Sequence, residues 1–421
     1  MKNWRIKLSL YLNFLLFAIL MSSDGILILQ VQKHYAVAAS VAGLLGGFRD
    51  MSVAVAAVFL AAYVARMGYK RSMLISLLMV ALICLLVPLG NSFTTIEMFF
   101  LVTGVGFALM KSSIFSAIGL LAHDIRSHAA FMRYLEATYA AGTFAGYFVF
   151  SAYSDAGRNS TDWLLVYYVM AGVSVLAIAA LWWAPLDESE IQDVQPQPLL
   201  GDLTAMFKLA TTAVAGAFVA CVFTYDLLAE GINKWLPTFN SEVLHVPVAL
   251  SIQLASIMAA SAVLGRVLGG LALRFASWLT VLLTCLALSA VLVLVTLPLA
   301  EKGGMPPVTS WRSAPIAAFI FPLIGMVTAP IYPVINSRVL SGLPLRQQGA
   351  MSGLIMLASA LGATAGSLIT GSIFQAYGGT RAFYWSLIPI ALLAGSLLLL
   401  NALEKRAAVN VPALPSVSPG V

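Results

Sequence analysis

Charged residues are scarce in this chain: Asp, Glu, Lys and Arg together make up 10% of its 421 residues. A water-soluble domain with 61% hydrophobic residues would expose a very large apolar surface. Cysteine is also scarce, and Cys84, Cys221 and Cys285 all fall in apolar runs at spacings unlike those of metal sites. The chain has no glycine-rich loop followed by Lys and Ser or Thr, which argues against ATP hydrolysis. Composition predicts an integral membrane protein that is not an enzyme and uses neither a cofactor nor a metal.

Twelve apolar runs are long enough to cross the bilayer as helices, because about 20 residues span its ~30 Å hydrocarbon core. These predicted spans, numbered in chain order, are residues 8–31, 40–65, 72–91, 97–121, 130–153, 163–184, 209–236, 249–273, 277–299, 314–339, 348–375 and 381–403. The longest polar stretch between spans, 185–208, is predicted to link two pseudo-symmetric six-helix halves, 1–184 and 209–403. The tail, 404–421, is predicted to be disordered. The fold class expected is an all-α membrane protein with twelve transmembrane helices.

Basic residues are concentrated in the connections on one side of the membrane. With the N-terminus inside, the inner segments hold Arg66, Lys70, Arg71, Arg126, Arg274, Arg346, Lys405 and Arg406. The positive-inside rule then places both termini in the cytoplasm, as in a multi-pass protein of the cytoplasmic (inner) membrane. This topology accounts for the net charge of +6 without nucleic-acid binding. We expect a monomer in the lipid bilayer.

The two halves, the long linker and the short basic loops after spans 2 and 8 together resemble the major facilitator superfamily of secondary transporters. The loop after span 2, 61–71, reads AAYVARMGYKR and lacks the aspartate usual in the family motif. In span 1, residues 23–32 (SDGILILQVQ) resemble the fucose:proton symporter group, as do 265–266 with 274–275, and 332–337 (YPVINS). The resemblance implies proton coupling through Asp24, alternating access and a sugar-like solute.

Span 4 departs from that group. The sugar symporters carry a functional glutamate in a glycine-led stretch, whereas residues 104–113 here read GVGFALMKSS, with Lys111 and no acid. A carboxylate-bearing organic anion is therefore an alternative substrate. An exporter of amphipathic compounds and a membrane sensor that binds without transport are two further alternatives.

Ionisable side chains within the spans mark the predicted site, because burying one in the bilayer costs several kcal/mol unless it is paired, protonated or hydrated. The candidates for proton coupling are Asp24, Asp226 and Glu230. Asp226, Glu230 and Lys234 recur every four residues and so share one helical face, either as proton sites or as a salt-bridge ladder. For Lys234, near a span end, we expect snorkelling to the interface.

The predicted substrate-binding residues are polar side chains expected to face the interior of the bundle. They are Arg49, Lys111, Glu136, Tyr139, Gln30, Tyr332 and Asn336. Arg49 offers a planar fork for an anion, or alternatively forms a fixed salt bridge to Asp24 or Asp50. Lys111 either neutralises Glu136 or receives a substrate anion. Together these patterns predict a proton-coupled secondary transporter of a small polar solute.

Overall fold

Every regular element in the described part of the chain is a helix. The computed structural model describes residues 4–121, 125–154, 161–186, 188, 208, 210–301, 308–341 and 345–409. Its α-helices are Trp4–Met21, Asp24–His34, Ala39–Met67, Tyr69–Gly90, Phe93–Leu121, Ile125–Ser151, Leu165–Trp183, Ala213–Asn233, Leu236–Glu242, Val248–Ala272, Trp278–Glu301, Ala317–Ile320, Ile324–Thr328, Ile331–Ser341, Leu345–Tyr377, Gly379–Tyr384 and Leu387–Val409. Short 3-10 turns occupy Asp162–Leu164, Trp311–Ser313 and Phe321–Leu323.

These helices form the twelve predicted spans. Ten segments of the described chain are long and apolar enough to cross a membrane by length and composition. Spans 2 and 5, the helices Ala39–Met67 and Ile125–Ser151, add two more of 29 and 27 residues that carry charged side chains. The predicted fold class is confirmed.

The outer surface of the bundle is apolar. On span 3, Leu78, Leu82 and Leu86 recur every four residues along one exposed face, each more than half accessible. At the end of span 6, Trp182 and Trp183 are also exposed, as is common for tryptophan at the membrane interface. A contiguous exposed apolar surface of this kind is suited to lipid and not to water.

Span 1 is interrupted close to the middle of its membrane crossing. The helix Trp4–Met21 ends at a tight turn where the Ser22 hydroxyl donates to the Ile19 carbonyl (2.7 Å) and the Ser23 hydroxyl donates to the Leu20 carbonyl (2.6 Å). Serine side chains that bond carbonyls of the preceding turn compete with the helical backbone and bend it. A second helix then begins at Asp24.

Span 7 is interrupted at the corresponding place in the second half. Its first helix ends at Asn233, and a short helix begins at Leu236 after Lys234 and Trp235. Pro237 lies in the first turn of this second helix, where its missing N–H leaves no hydrogen bond unmade. The predicted spans 8–31 and 209–236 did not include either interruption. The chain is similarly apolar before and after each break, so composition gives no sign of it.

The two halves contact each other through spans 2 and 11 near one end of the bundle. The Ser367 hydroxyl donates to the Gly43 carbonyl (2.9 Å), and the Ser40 N–H donates to the side-chain carbonyl of Gln375 (3.1 Å). A Cβ atom on Gly43 would lie 2.9 Å from the Ser367 carbonyl oxygen. Glycine at this position therefore permits the close approach of the two helices.

Contacts between other spans close the same end. The Gln253 amide of span 8 donates to the Ser151 hydroxyl of span 5 (3.1 Å). At the rim, Lys33 and Glu242, from opposite halves, form an ion pair (3.2 Å) with both side chains partly exposed. We call this region, where residues 33–47 meet 234–242 and 364–375, the closed end.

Most of the predicted linker and tail lies outside the described residues. Within the linker, the Glu188 carboxylate accepts a hydrogen bond from the backbone N–H of Lys70 (2.7 Å). The last helix continues to Val409, into the segment 404–421 for which disorder was predicted. Its Glu404 pairs with Arg338 (3.0 Å), which attaches this extension to span 10.

Candidate transport site

A cluster of five charged side chains lies where spans 1, 2 and 7 meet, and we call it the charge cluster. The Arg49 guanidinium pairs with the Asp24 carboxylate, and the Lys234 ammonium pairs with the Asp50 carboxylate. The Lys234 nitrogen is also 3.6 Å from a Glu230 oxygen and 4.0 Å from an Asp24 oxygen. The cluster therefore contains three carboxylates and two cations, contributed by both halves.

Its members differ in accessibility. The Lys234 side chain is 1% exposed, whereas the side chains of Asp24 and Arg49 are 7% and 8% exposed. Asp50 is 18% exposed and Glu230 is 32% exposed. Glu230 is thus the member of the cluster most open to water or to a proton.

Small residues allow these spans to meet. A Cβ atom on Gly25 would lie 2.7 Å from the Lys234 carbonyl oxygen, and one on Gly46 would lie 2.9 Å from its ammonium nitrogen. Larger side chains at either position would push span 7 away from spans 1 and 2. Because the cluster needs contact distances near hydrogen-bond length, the glycines are part of how the sequence builds it.

Arg49 also stabilises the interruption in span 1. Its guanidinium donates to the Met21 carbonyl (3.2 Å), which is at the C-terminal end of the first helix, and lies 5.6 Å from the centre of the Phe100 ring. Carbonyls at a helix C-terminus lack intrahelical partners and attract cations, whereas the N-terminus of the following helix, at Asp24, attracts anions. The broken helix thus presents complementary ends to the Asp24–Arg49 pair.

A second polar group lies in the C-terminal half and centres on Asp226, one turn before Glu230. The Asp226 carboxyl accepts a hydrogen bond from the Ser359 hydroxyl, which is 3.4 Å from the Tyr332 hydroxyl. The rings of Tyr332 and Tyr225 are in contact, with centroids 5.5 Å apart. We call Asp226, Ser359, Tyr332 and Tyr225 the hydroxyl cluster.

The N-terminal half contributes Lys111, Glu136 and Tyr139. The Lys111 ammonium lies between the rings of Phe107 and Phe115, 5.7 and 5.6 Å from their centroids. Glu136 is exposed, and the Tyr139 ring is 6.0 Å from that of Phe107. Tyr139 is also within electrostatic range of Glu230 on the opposite half.

The two remaining candidates are the amides of Gln30 and Asn336, and the Asn336 side chain forms a hydrogen bond with Tyr332. Gln30 is buried in span 1, and Asn336 is half-buried in span 10. Among the described residues, no hydrogen-bond partner is found for the Gln30 amide nitrogen or the Asn336 amide oxygen. Each amide therefore keeps one buried polar atom without a hydrogen-bond partner among the described residues.

The placement of Lys234 differs from the expected snorkelling. The break in span 7 directs its ammonium toward Asp50 and away from the interface. Asp50 is far from Lys234 in the sequence, so no spacing pattern could indicate this pair. Sequence analysis also missed Ser359, whose only signal was its place among small residues in span 11. Of the alternatives given for Arg49, the structure contains the salt bridge to Asp24, whereas Asp50 pairs with Lys234.

Comparison with known families identifies the class of protein. The sequence profile of the Major Facilitator Superfamily matches residues 10–367, so the chain belongs to this superfamily. It is accordingly a multi-pass membrane transporter of small solutes and not an enzyme. No curated protein matches the sequence. The resemblance to the fucose:proton symporter group stays a prediction.

Solved structures with the same fold have low sequence identity to this chain. The nucleoside transporter NupG superposes with a TM-score of 0.71 at 16% identity, covering 95% of this chain and 99% of that one. A D-xylose-proton symporter gives 0.72 at 13% identity, covering 94% and 97%. An inward-facing, unoccupied bacterial homolog of the human lysosomal transporter Spinster gives 0.72 at 14% identity, covering 95% and 96%. At these identities the likeness establishes the fold alone.

Proposed function

We propose that this chain is a proton-coupled importer of a small polar, sugar-like solute, and that Glu230 carries the coupled proton. The observation behind this proposal is the charge count of the cluster, in which three carboxylates face two cations. A net charge buried in a protein within the membrane is unfavourable. One bound proton makes the cluster neutral, and Glu230 is its most accessible carboxylate.

Proton binding at Glu230 also changes what holds the halves together. Lys234 has an acid of its own half, Glu230, and acids of the opposite half, Asp50 and Asp24, within 4.0 Å. When Glu230 is protonated, the ammonium is attracted mainly across the interface and the closed end stays closed. When Glu230 is ionised, it competes for Lys234 and weakens this attraction, so the halves separate more easily.

The direction of transport follows from the orientation of the closed end. The positive-inside rule assigns the connections that contain Lys70, Arg71 and Arg274 to the cytoplasm, together with both termini. On this topology the closed end lies on the outer side of the cytoplasmic membrane. Proton binding from outside closes that side around the solute, and proton release inside reopens it, which is the cycle of a symporter.

The sugar-like solute is supported by two similarities. The stretch 23–32 resembles the fucose:proton symporters, and the fold is shared with a D-xylose-proton symporter and a nucleoside transporter. Those solutes are polyhydroxylated, and the hydroxyl cluster offers matching hydrogen-bond donors and acceptors.

The test is uptake of labelled D-xylose, uridine and gluconate by purified protein in liposomes, with and without an inward proton gradient. We expect the gradient to drive accumulation of at least one of these. Glu230→Gln, which resembles the protonated state, is expected to lose accumulation while still equilibrating the solute. Asp226→Asn, one turn away, is the matched control and is expected to retain gradient dependence at reduced affinity.

Two results would overturn the proposal. One is accumulation by Glu230→Gln as strong as that of the wild type. The other is a wild-type protein that transports a member of the panel at the same rate whether or not the gradient is present.

A further inference from the structure

Lys111 is a membrane-embedded cation without a matching anion in its immediate surroundings. It takes part in none of the ion pairs within 4.0 Å that the described residues form. Its ammonium contacts the faces of Phe107 and Phe115, and Glu136 acts on it from a longer distance. Aromatic faces attract a cation but compensate only part of its lost hydration. The arrangement leaves the ammonium hydrogens available to an anionic group.

The hydroxyl cluster, in the opposite half, offers hydrogen-bonding groups and not a cation. Asp226 also lies outside those ion pairs, and its described side-chain partner is the uncharged hydroxyl of Ser359. With Tyr332 next to Ser359, a carboxyl and two hydroxyls are clustered beside the tyrosine ring pair. Such a set recognises alcohol groups, which donate to carboxylates and accept from hydroxyls.

Lys111 and the hydroxyl cluster lie at similar depth, on helices of opposite halves. Lys111 is about 15 Å from the Leu121 end of its helix, and Asp226 is about 20 Å from the Ala213 end of its own, at 1.5 Å per residue. Both helix ends are remote from the closed end. Tyr139 packs on Phe107 beside Lys111 and is within electrostatic range of Glu230 and Arg266 on the other half. The surroundings of Lys111 therefore extend toward Glu230 of the opposite half, which lies one helical turn from Asp226.

From this juxtaposition we infer that the solute is a small polyhydroxylated carboxylate, a sugar acid, whose carboxylate binds Lys111 and whose hydroxyls bind Asp226, Ser359 and Tyr332. The inference rests on the proposed transport function and narrows its substrate class. A neutral sugar would leave the half-buried ammonium without an anion in direct contact.

The test is equilibrium binding of three labelled probes to the purified protein in detergent. Gluconate carries both the carboxylate and the hydroxyls, glucose carries only hydroxyls, and hexanoate carries only the carboxylate. We expect gluconate to bind at least about tenfold more tightly than either, the usual effect of one hydrogen bond to a charged group. Lys111→Met is expected to reduce gluconate affinity to that of glucose, whereas Lys111→Arg keeps the preference.

Lys33→Met is the matched control, because it removes an exposed ammonium at the closed end, and it is expected to bind gluconate like the wild type. Each variant is first required to elute as a monodisperse species. Equal or tighter binding of glucose than gluconate by the wild type overturns the inference, as does an unchanged gluconate preference in Lys111→Met.

Because binding is measured without a proton gradient, the two proposals fail separately. Gluconate binding that depends on Lys111, together with uptake that ignores the gradient, supports this inference and refutes proton coupling. Gradient-driven accumulation of a neutral solute, together with no gluconate binding, supports proton coupling and refutes this inference.

Discussion

Asp50→Asn tests whether Lys234 holds the two halves together at the closed end. In the described conformation Lys234 is almost completely buried and pairs with Asp50. When the halves separate at this end, that pair is lost in the wild type as well, while Glu230 on the same helix stays beside Lys234. The substitution therefore removes an interaction that is specific to the closed conformation, and it shifts the equilibrium between conformations.

The size of the shift follows from the burial of Lys234, whose side chain is 1% exposed. Removing one partner of a buried ion pair costs about 3 kcal/mol or more, because the other charge is left without full compensation. This corresponds to roughly a hundredfold change in the ratio of closed to open conformations. The exposed pair Lys33–Glu242 spans the same interface, but such a surface pair contributes about 1 kcal/mol at most. Lys33→Gln is therefore expected to change the ratio by about fivefold or less.

The assay is the distance distribution between spin labels on cysteines at Ser40 and Gln375, which contact each other across the closed end. The three native cysteines, Cys84, Cys221 and Cys285, are first replaced by alanine. The double variant Asp50→Asn with Lys234→Met is expected to recover much of the closed population, because it leaves no unpaired lysine. A ratio for Asp50→Asn no further from the wild type than that of Lys33→Gln would refute the role given to Lys234.

Two further predictions concern the packing of the closed end. Gly25→Ala is expected to lower the melting temperature, since its Cβ would lie 2.7 Å from a carbonyl oxygen of span 7; Gly172→Ala, whose Cβ would meet nothing within 4 Å, should not lower it. Trp235→Phe removes a buried hydrogen bond to the Ser367 carbonyl (2.9 Å) and should cost about 1–2 kcal/mol of stability. Trp182→Phe, at an exposed position, should cost much less, and equal losses in the two tryptophan variants would contradict this assignment.

The spans and the two halves could be predicted from the sequence because they depend on local properties. A run of about 20 apolar residues is sufficient to indicate a transmembrane helix, and the polar stretch 185–208 separates two sets of six. The interruptions in spans 1 and 7 could not be predicted in this way. They depend on the hydrogen bonds of Ser22 and Ser23 and on how the chain around Lys234 packs against Gly25.

The candidate site was predictable in part of its membership and not in its pairing. A charge inside a span is unusual enough to identify Asp24, Arg49 and Glu230 from the sequence alone. The partner of each charge depends on contacts between residues far apart in the chain: Lys234 and Asp50 are 184 positions apart. The position of Lys234 near a span end favoured the membrane interface as its environment, whereas the tertiary structure supplies the partly buried carboxylate of Asp50.

The two broken spans place opposite charges against each other, but their partners give them different roles. Arg49 is bound to Asp24 and to the Met21 carbonyl, and it contacts Phe100, so all these partners belong to its own half. A rigid-body movement of that half leaves these contacts intact. Lys234 instead has carboxylates on both sides of the interface, and movement of the halves must redistribute it between them. In a transporter that works by rocking two halves, a charge with partners on both sides can sense protonation, and Glu230 is the accessible acid that shares this lysine.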